Sequence, residues 1–388
     1  MHVAAILQEL LGGAIHRARI KSLTNLVSGI ICHKKLQLSE LGRNLHHMNE
    51  RSGIRIVDRV LSNAYYQNCS HVIYGCIANV VIGNNKTPNL IVDWSVIPNS
   101  ERNTKEEYQV IRASFVAEGR SITIYEEVHP QSEYGKAHIH TNFLFQLASI
   151  LPDGCKPCII TDAGFRIPWF KAVLKLGWNY IGRIRGDVSF NDGSGFQPTS
   201  HLFNTASLKP QYLGEFILAK YNPFQTHFYL YRHTIQGRKK RNRNLTFAQN
   251  KESRTHSRGY REPWLIVSSL SEEEPREIIN KYKSRMTIEE AFRDTKSTKY
   301  GFSFDGNHTI KSQRYIVWLL LAALASFVAW IVGFISEKNK IHYQFQANTY
   351  RQQRVLSFVF LGCRVIKKKI NILFEWHKMS SIFQEMQK

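Results

Sequence analysis

Acid is scarce in this chain. Its 388 residues hold 30 Asp and Glu against 52 Lys and Arg, a formal charge of +22. That imbalance favours a polyanionic partner, nucleic acid first and an anionic membrane second. Paired cysteine motifs are scarce too. Six cysteines are scattered at 32, 69, 76, 155, 158 and 363, and only Cys155 and Cys158 make a C-x-x-C. A structural zinc site wants a second such pair, and His138 with His140, as H-x-H, is a poor match. The C-x-x-C is therefore read as the approach to a buried strand. A basic start is missing from "MHVAAILQELLGGAIHRARIK", and Glu9 interrupts its apolar part, so no secretory signal is expected. The expected setting is reducing and cytoplasmic, with free thiols. Disorder is excluded, because 43% of the residues are hydrophobic, enough at this length for two or three domains with buried cores.

One long apolar run is present, "YIVWLLLAALASFVAWIVGFI" from Tyr315 to Ile335. It has the length of a membrane span. It is also single, rich in Ala and flanked by charge. A helix buried on all sides of a large domain looks the same, and that is the expectation; no membrane partner is expected.

Residues 1–80 read as short helices carrying basic residues, with Ser39 a candidate N-cap. In "NERSGIRIVDRVLSN", Arg55 and Arg59 stand at i,i+4 while Ile54, Val57 and Val60 can pack. A short helix followed by a basic one suggests a helix-turn-helix-like reader of DNA ends; an ordinary helical bundle with a solvated basic face is the alternative. From residue 86 the pattern turns to strands: "NLIVDWSVI", "YQVIRASFVAEG" and "SITIYEEVH", the last two antiparallel neighbours. A helix over 136–151, a strand in "KPCIITDAGF", a helix at "PWFKAVLKLG" with Pro168 in its first turn, and a strand at "WNYIGRIRG" follow. This order predicts an α/β fold with a mixed sheet. Residues 187–270 read as a β-rich insertion. Within it, 237–261 hold nine Lys or Arg and one acid, too polar to bury. Residues 271–336 return to the core, and 337–388 read as a helical C-terminal region suited to dimerisation.

"YKSRMTIEEAFRDTK" (282–296) lacks Gly and Pro and follows Pro275, so it is read as one helix. At about 100° per residue, Tyr282, Arg285, Glu289 and Lys296 share an arc of about 60°. Arg285 with Glu289 could be an ordinary intrahelical pair; Tyr282 and Lys296 are not explained that way. Two further acids stand in apolar strands, Asp93 inside one and Asp162 at the end of another. A carboxylate in such surroundings is costly unless paired or bound to a cation. Asp93, Asp162 and Glu289 make a set of hard oxygen ligands suited to a pair of Mg²⁺ ions.

The order strand-Asp, strand-Asp, helix-Glu resembles the DDE transposases with a ribonuclease-H-like core. The Tyr-x2-Arg-x3-Glu-x6-Lys spacing is similar to the YREK signature of the insertion-sequence-four family. "IVDWS", "GRSITIYEE", "TDAGFRIPWF", "RMTIEEAFRDTKS" and "FQANT" extend the likeness from about residue 20 to about 365. The resemblance implies that Asp93, Asp162 and Glu289 are catalytic and bind Mg²⁺, for which Mn²⁺ can substitute. It implies that Tyr282, Arg285 and Lys296 hold a DNA phosphate, and that Trp264 in "EPWLIV" stacks on a flipped base. A buried strand aromatic is the plainer reading of Trp264. Some relatives carry Trp directly after the signature arginine; here it is Met286, which puts a two-tryptophan clamp in doubt. The implied activity is cut-and-paste transposition at terminal inverted repeats through a DNA hairpin. The implied assembly is a homodimer on paired double-stranded DNA ends in a bacterial nucleoid.

Overall fold

In a computed structural model, residues 2–45, 48–97, 107–186, 188–233, 262–347, 349, 354–373 and 375–387 are described. The basic stretch 237–261 lies outside them. The chain divides into two compact units. One is split in sequence, 1–157 with 286–388; the other is the inserted 158–285.

The split unit begins with helices α1 (His2–Leu11), α2 (Arg17–His33), α3 (Leu38–Arg43), α4 (Glu50–Leu61), α5 (Ala64–Asn68) and α6 (Ser70–Ile82). Residue Ser39 lies inside α3 rather than capping it; Gln37 takes the extended N-cap position, without a side-chain cap bond. Helices α3 and α4 pack backbone to backbone: a Cβ on Gly53 would come within 2.1 Å of the Gly42 carbonyl. Strands β1 (Asn89–Ile97), β2 (Tyr108–Val116) and β3 (Ser121–Pro130) form an antiparallel sheet in the order β3-β2-β1. Helix α7 (Ala137–Ile150) follows.

The inserted unit holds β4 (Cys158–Thr161), α8 (Ile167–Lys175), β5 (Asn179–Ile184), β6 (Ser189–Asn191), β7 (Phe196–Pro198), β8 (Gln211–Leu218), β9 (Phe224–Tyr231), β10 (Trp264–Ser268) and α9 (Pro275–Lys283). Its sheet is mixed. Strands β4 and β5 are parallel, as a strand–helix–strand crossover requires. Antiparallel pairing then runs β5-β10-β9-β8-β6-β7. The fold is mixed α/β.

Back in the split unit, α10 (Met286–Lys296), α11 (Ser312–Lys338), α12 (Phe358–Lys367) and α13 (Met379–Glu385) complete the chain. The long apolar run is the core helix α11, with 89% of its most apolar window buried. It packs against α2, α12 and β3.

A second expectation changes. The helix read over 282–296 is two helices with a turn at Ser284 and Arg285. Ser284 donates its hydroxyl to the Lys281 carbonyl at 2.6 Å, and Arg285 N–H bonds Tyr282 O at 3.1 Å. A serine hydroxyl competing for a helix carbonyl favours ending the helix there, a signal that periodicity does not carry. Tyr282 therefore belongs to α9, Arg285 to the turn, and Glu289 and Lys296 to α10.

Candidate active site

In the split unit, side chains alternate across β1, so Asp93 and Ser95 share one face. The Asp93 Oδ1 accepts the Trp94 backbone N–H at 2.8 Å. Helix α10 lies against β1 and β3. Lys296 Nζ donates to Ser95 Oγ at 2.8 Å and also to the Val96 carbonyl. The helix therefore lies on the face that carries Asp93. Glu289 stands seven residues before Lys296, about 20° short of two full turns, so both project from one side of α10. Glu289 is exposed in the helix's first turn, where the positive end of the helix dipole favours a carboxylate.

Buried charge surrounds this pair of elements. Arg112 is directly opposite Asp93 on β2, and Glu126 is opposite Arg112 on β3, which places all three on one face. Arg112 Nε donates to Glu126 Oε2 at 2.8 Å, and Tyr74 O–H donates to Glu126 Oε1 at 2.9 Å. The Arg112 guanidinium lies 4.2 Å from the centre of the Phe292 ring of α10. On the other face of β1, the Trp94 indole N–H donates to Nε2 of the buried His140 at 3.0 Å. Burial above all, and then the neighbouring His129, holds the His140 imidazole down to a pKa of about 4.

In the inserted unit, Asp162 follows β4 directly and its Oδ1 accepts the Gly164 N–H at 2.8 Å. Tyr282 is buried; burial chiefly raises its phenol pKa, Arg285 and Arg183 oppose the rise, and Asp162 adds to it. Its ring meets Trp264 edge-on at 5.1 Å between centroids. Tyr231 and His233 approach the same indole at 5.8 and 5.2 Å. The Arg183 guanidinium lies 5.9 Å from the indole, and Lys283 Nζ lies 4.9 Å from the Tyr231 ring. Arg183 Nε is buried and makes no hydrogen bond among the described residues. Rings interleaved with cations are the make-up of a surface that stacks bases and holds phosphates.

The residues singled out in sequence thus fall into two groups. Asp93, Glu289 and Lys296 belong to the split unit, where Lys296 reaches β1 two residues beyond Asp93. Asp162, Trp264, Tyr282 and Arg285 meet in the inserted unit. Met286 opens α10 and is exposed. Arg55 and Arg59 are exposed on α4, and Arg51, one turn earlier, extends the same stripe; the i,i+4 rule applied once more would have found it. Arg183 on β5 and Arg185 just beyond its end were also passed over, although the alternation in "YIGRIRG" would put both on one side.

The zinc alternative gains no support. His138 bonds Glu133 at 3.0 Å, whereas His140 serves Trp94. Burial pushes the Cys155 thiol up to about 11 and the Cys158 thiol up to about 12. Among the described residues no three His, Cys, Asp or Glu side chains gather where they could hold a metal ion. Asp93, Asp162 and Glu289 each carry the kind of hard oxygen donor that a divalent cation prefers.

Carboxylates on a strand and a helix, and a surface of rings and cations, are residue types that phosphoryl transfer on nucleic acid uses. A family model described as the transposase DDE domain matches residues 84–327, more than half of the chain. The chain belongs to the DDE transposase family, whose activity is DNA transposition and which uses divalent metal. No curated protein matches it.

Proposed function

We propose that this protein is a cut-and-paste transposase of an insertion sequence, of the insertion-sequence-four type with a ribonuclease-H-like core. Asp93, Asp162 and Glu289 hold Mg²⁺, with Mn²⁺ an effective replacement. The bound ions would activate the attacking oxygen and stabilise the leaving one. Water breaks a phosphodiester bond at the element's end and leaves a 3′-hydroxyl. That hydroxyl attacks the phosphorus of the opposite strand, which closes a hairpin and releases the flanking DNA. A second water reopens the hairpin, and the same 3′-hydroxyl then joins target DNA. Each step is an in-line displacement at phosphorus, so one set of carboxylates serves all of them.

The other residues bind and orient. Arg285 offers a two-pronged phosphate donor, Lys296 a point charge and Tyr282 a neutral O–H. Trp264 receives an extruded base. Arg183 and Arg185 extend the phosphate-binding surface, and Arg51, Arg55 and Arg59 on α4 grip the terminal inverted repeat. Two copies pair the ends in a synaptic complex, in the cytoplasm where the nucleoid lies.

The observation that carries this reading is the bond from Lys296 to Ser95, which lays the Glu289 helix on the Asp93 face of β1. The test is Mg²⁺-dependent cleavage of a labelled duplex bearing the element's own ends. Wild type should yield hairpins, and Glu289→Gln should yield none. DNA binding by both with cleavage by neither would refute the enzymatic reading.

A further inference from the structure

Two glutamates stand side by side on α10, Glu289 and Glu290, about 100° apart around the helix axis. A rotation of the helix by about 100° would exchange one for the other. The structure holds the helix against such a rotation from two sides. On one side, Lys296 is bonded to Ser95 and Val96 of β1. On the other, Arg120, at the turn between β2 and β3, donates Nε to Asp294 Oδ2 at 2.7 Å and Nη1 to Glu290. Arg120 and Asp294 are only 15% and 10% exposed at their side chains, against 42% for Glu290. Measured from Glu289, the Arg120 partners sit at about 100° and 140° in one sense and Lys296 at about 20° in the other, so Glu289 lies between the two anchors.

A largely buried ion pair adds little net stability over an apolar replacement of the same shape; its best-attested use is to fix register. We infer that Arg120 is a positioning residue that sets the rotational phase of α10. It engages Glu290 and Asp294 so that Glu289, and not Glu290, is the carboxylate presented beside Asp93. The inference rests on the role proposed above for Glu289.

The test compares wild type with Arg120→Ala, Arg120→Lys and the triple variant Arg120→Leu, Glu290→Gln, Asp294→Asn. The triple variant removes the acids that Arg120→Ala would leave uncompensated, and it decides the matter if Arg120→Ala does not fold. End binding is measured by gel shift, folding by thermal melting, Mn²⁺ binding by electron paramagnetic resonance without DNA, and cleavage as a function of Mg²⁺. Folded variants lacking Arg120 should bind ends as wild type does. They should cleave about 10- to 100-fold more slowly, the scale of a misplaced catalytic group, need more Mg²⁺ for half-maximal rate, and bind Mn²⁺ more weakly. Lysine, reaching one carboxylate, should recover part of the loss. A folded triple variant with wild-type Mg²⁺ dependence and Mn²⁺ affinity would overturn the inference. Glu289→Gln is run alongside: full cleavage by that variant sinks the Glu289 role itself, whereas an inactive Glu289→Gln beside wild-type-like Arg120 variants sinks only the clamp.

Discussion

Around the candidate residues the two units use positive charge differently. In the split unit cations are buried and spent on carboxylates: Arg112 on Glu126, Arg120 on Glu290 and Asp294. In the inserted unit Arg183 lies by Trp264 and Lys283 by Tyr231, while Arg185 and Lys281 are paired with Glu262 and Glu273. Paired, buried charges hold acids in fixed places, which is what a site built on carboxylates needs. Cations beside rings keep their charge available to a polyanion and offer its bases a surface to stack on. On the proposed reading, one unit positions and the other binds.

The sharpest way to break that contrast is to remove the cation from each. Arg112→Leu leaves Glu126 buried without its cation, held by Tyr74 alone, and should cost about 3–5 kcal/mol of stability, as breaking one half of a buried pair does. Replacing Arg112 and Glu126 together with apolar residues should recover most of it. Arg183→Leu should instead weaken DNA binding with little change in melting temperature. Equal losses of melting temperature for the two single variants, read by calorimetry, would show that the contrast has no energetic content.

A second prediction concerns the strand under Asp93. His140 must be neutral to accept the Trp94 indole N–H. Its folded pKa, about 4, lies below the ordinary value of 6.5. The unfolded chain therefore takes up the proton first, and stability falls as pH drops from about 6.5 towards 4, by up to about 3 kcal/mol. Urea melts at pH 7 and pH 5 should show wild type losing more stability than His140→Gln. Identical losses would mean that the imidazole is not the group responsible.

Much of this was legible beforehand, and for physical reasons. The nine residues of β1 were readable because "NLIVDWSVI" is an apolar run with one acid inside it, and such a run has few alternatives to a buried strand. The core placement of α11 followed from a single apolar stretch in an otherwise basic chain. The turn at Ser284 was not legible, because no Gly or Pro marks it and a serine bond to a carbonyl leaves no trace in the periodicity. Arg112 and Arg120 could be read only as strand or turn residues. Their partners lie across the sheet or on a helix more than 160 positions away, and sequence spacing does not reveal such pairs. The approach of Arg183 to Trp264 was missed for the same reason: the two come together through the pairing of β5 with β10.

Trp264 carries the smallest expected effect and the finest distinction. Its indole is half-buried among Tyr282, His233 and Tyr231, so it could be simple packing. Stacking on an extruded base would make Trp264→Ala cost about 1–3 kcal/mol, or roughly 5- to 150-fold in hairpin formation, while Trp264→Phe keeps most of the rate. Stability alone does not separate the two roles, but the substrate does. A base already unpaired in the DNA costs less to extrude than one in a duplex. If the indole compensates for that extrusion, a duplex with a broken terminal pair should restore much of the Trp264→Ala rate and leave wild type little changed. If the indole only packs the sheet, Trp264→Ala should melt earlier and cleave both substrates equally slowly. The ratio of the two rates in one variant therefore reports whether the ring surface of the inserted unit touches a base at all.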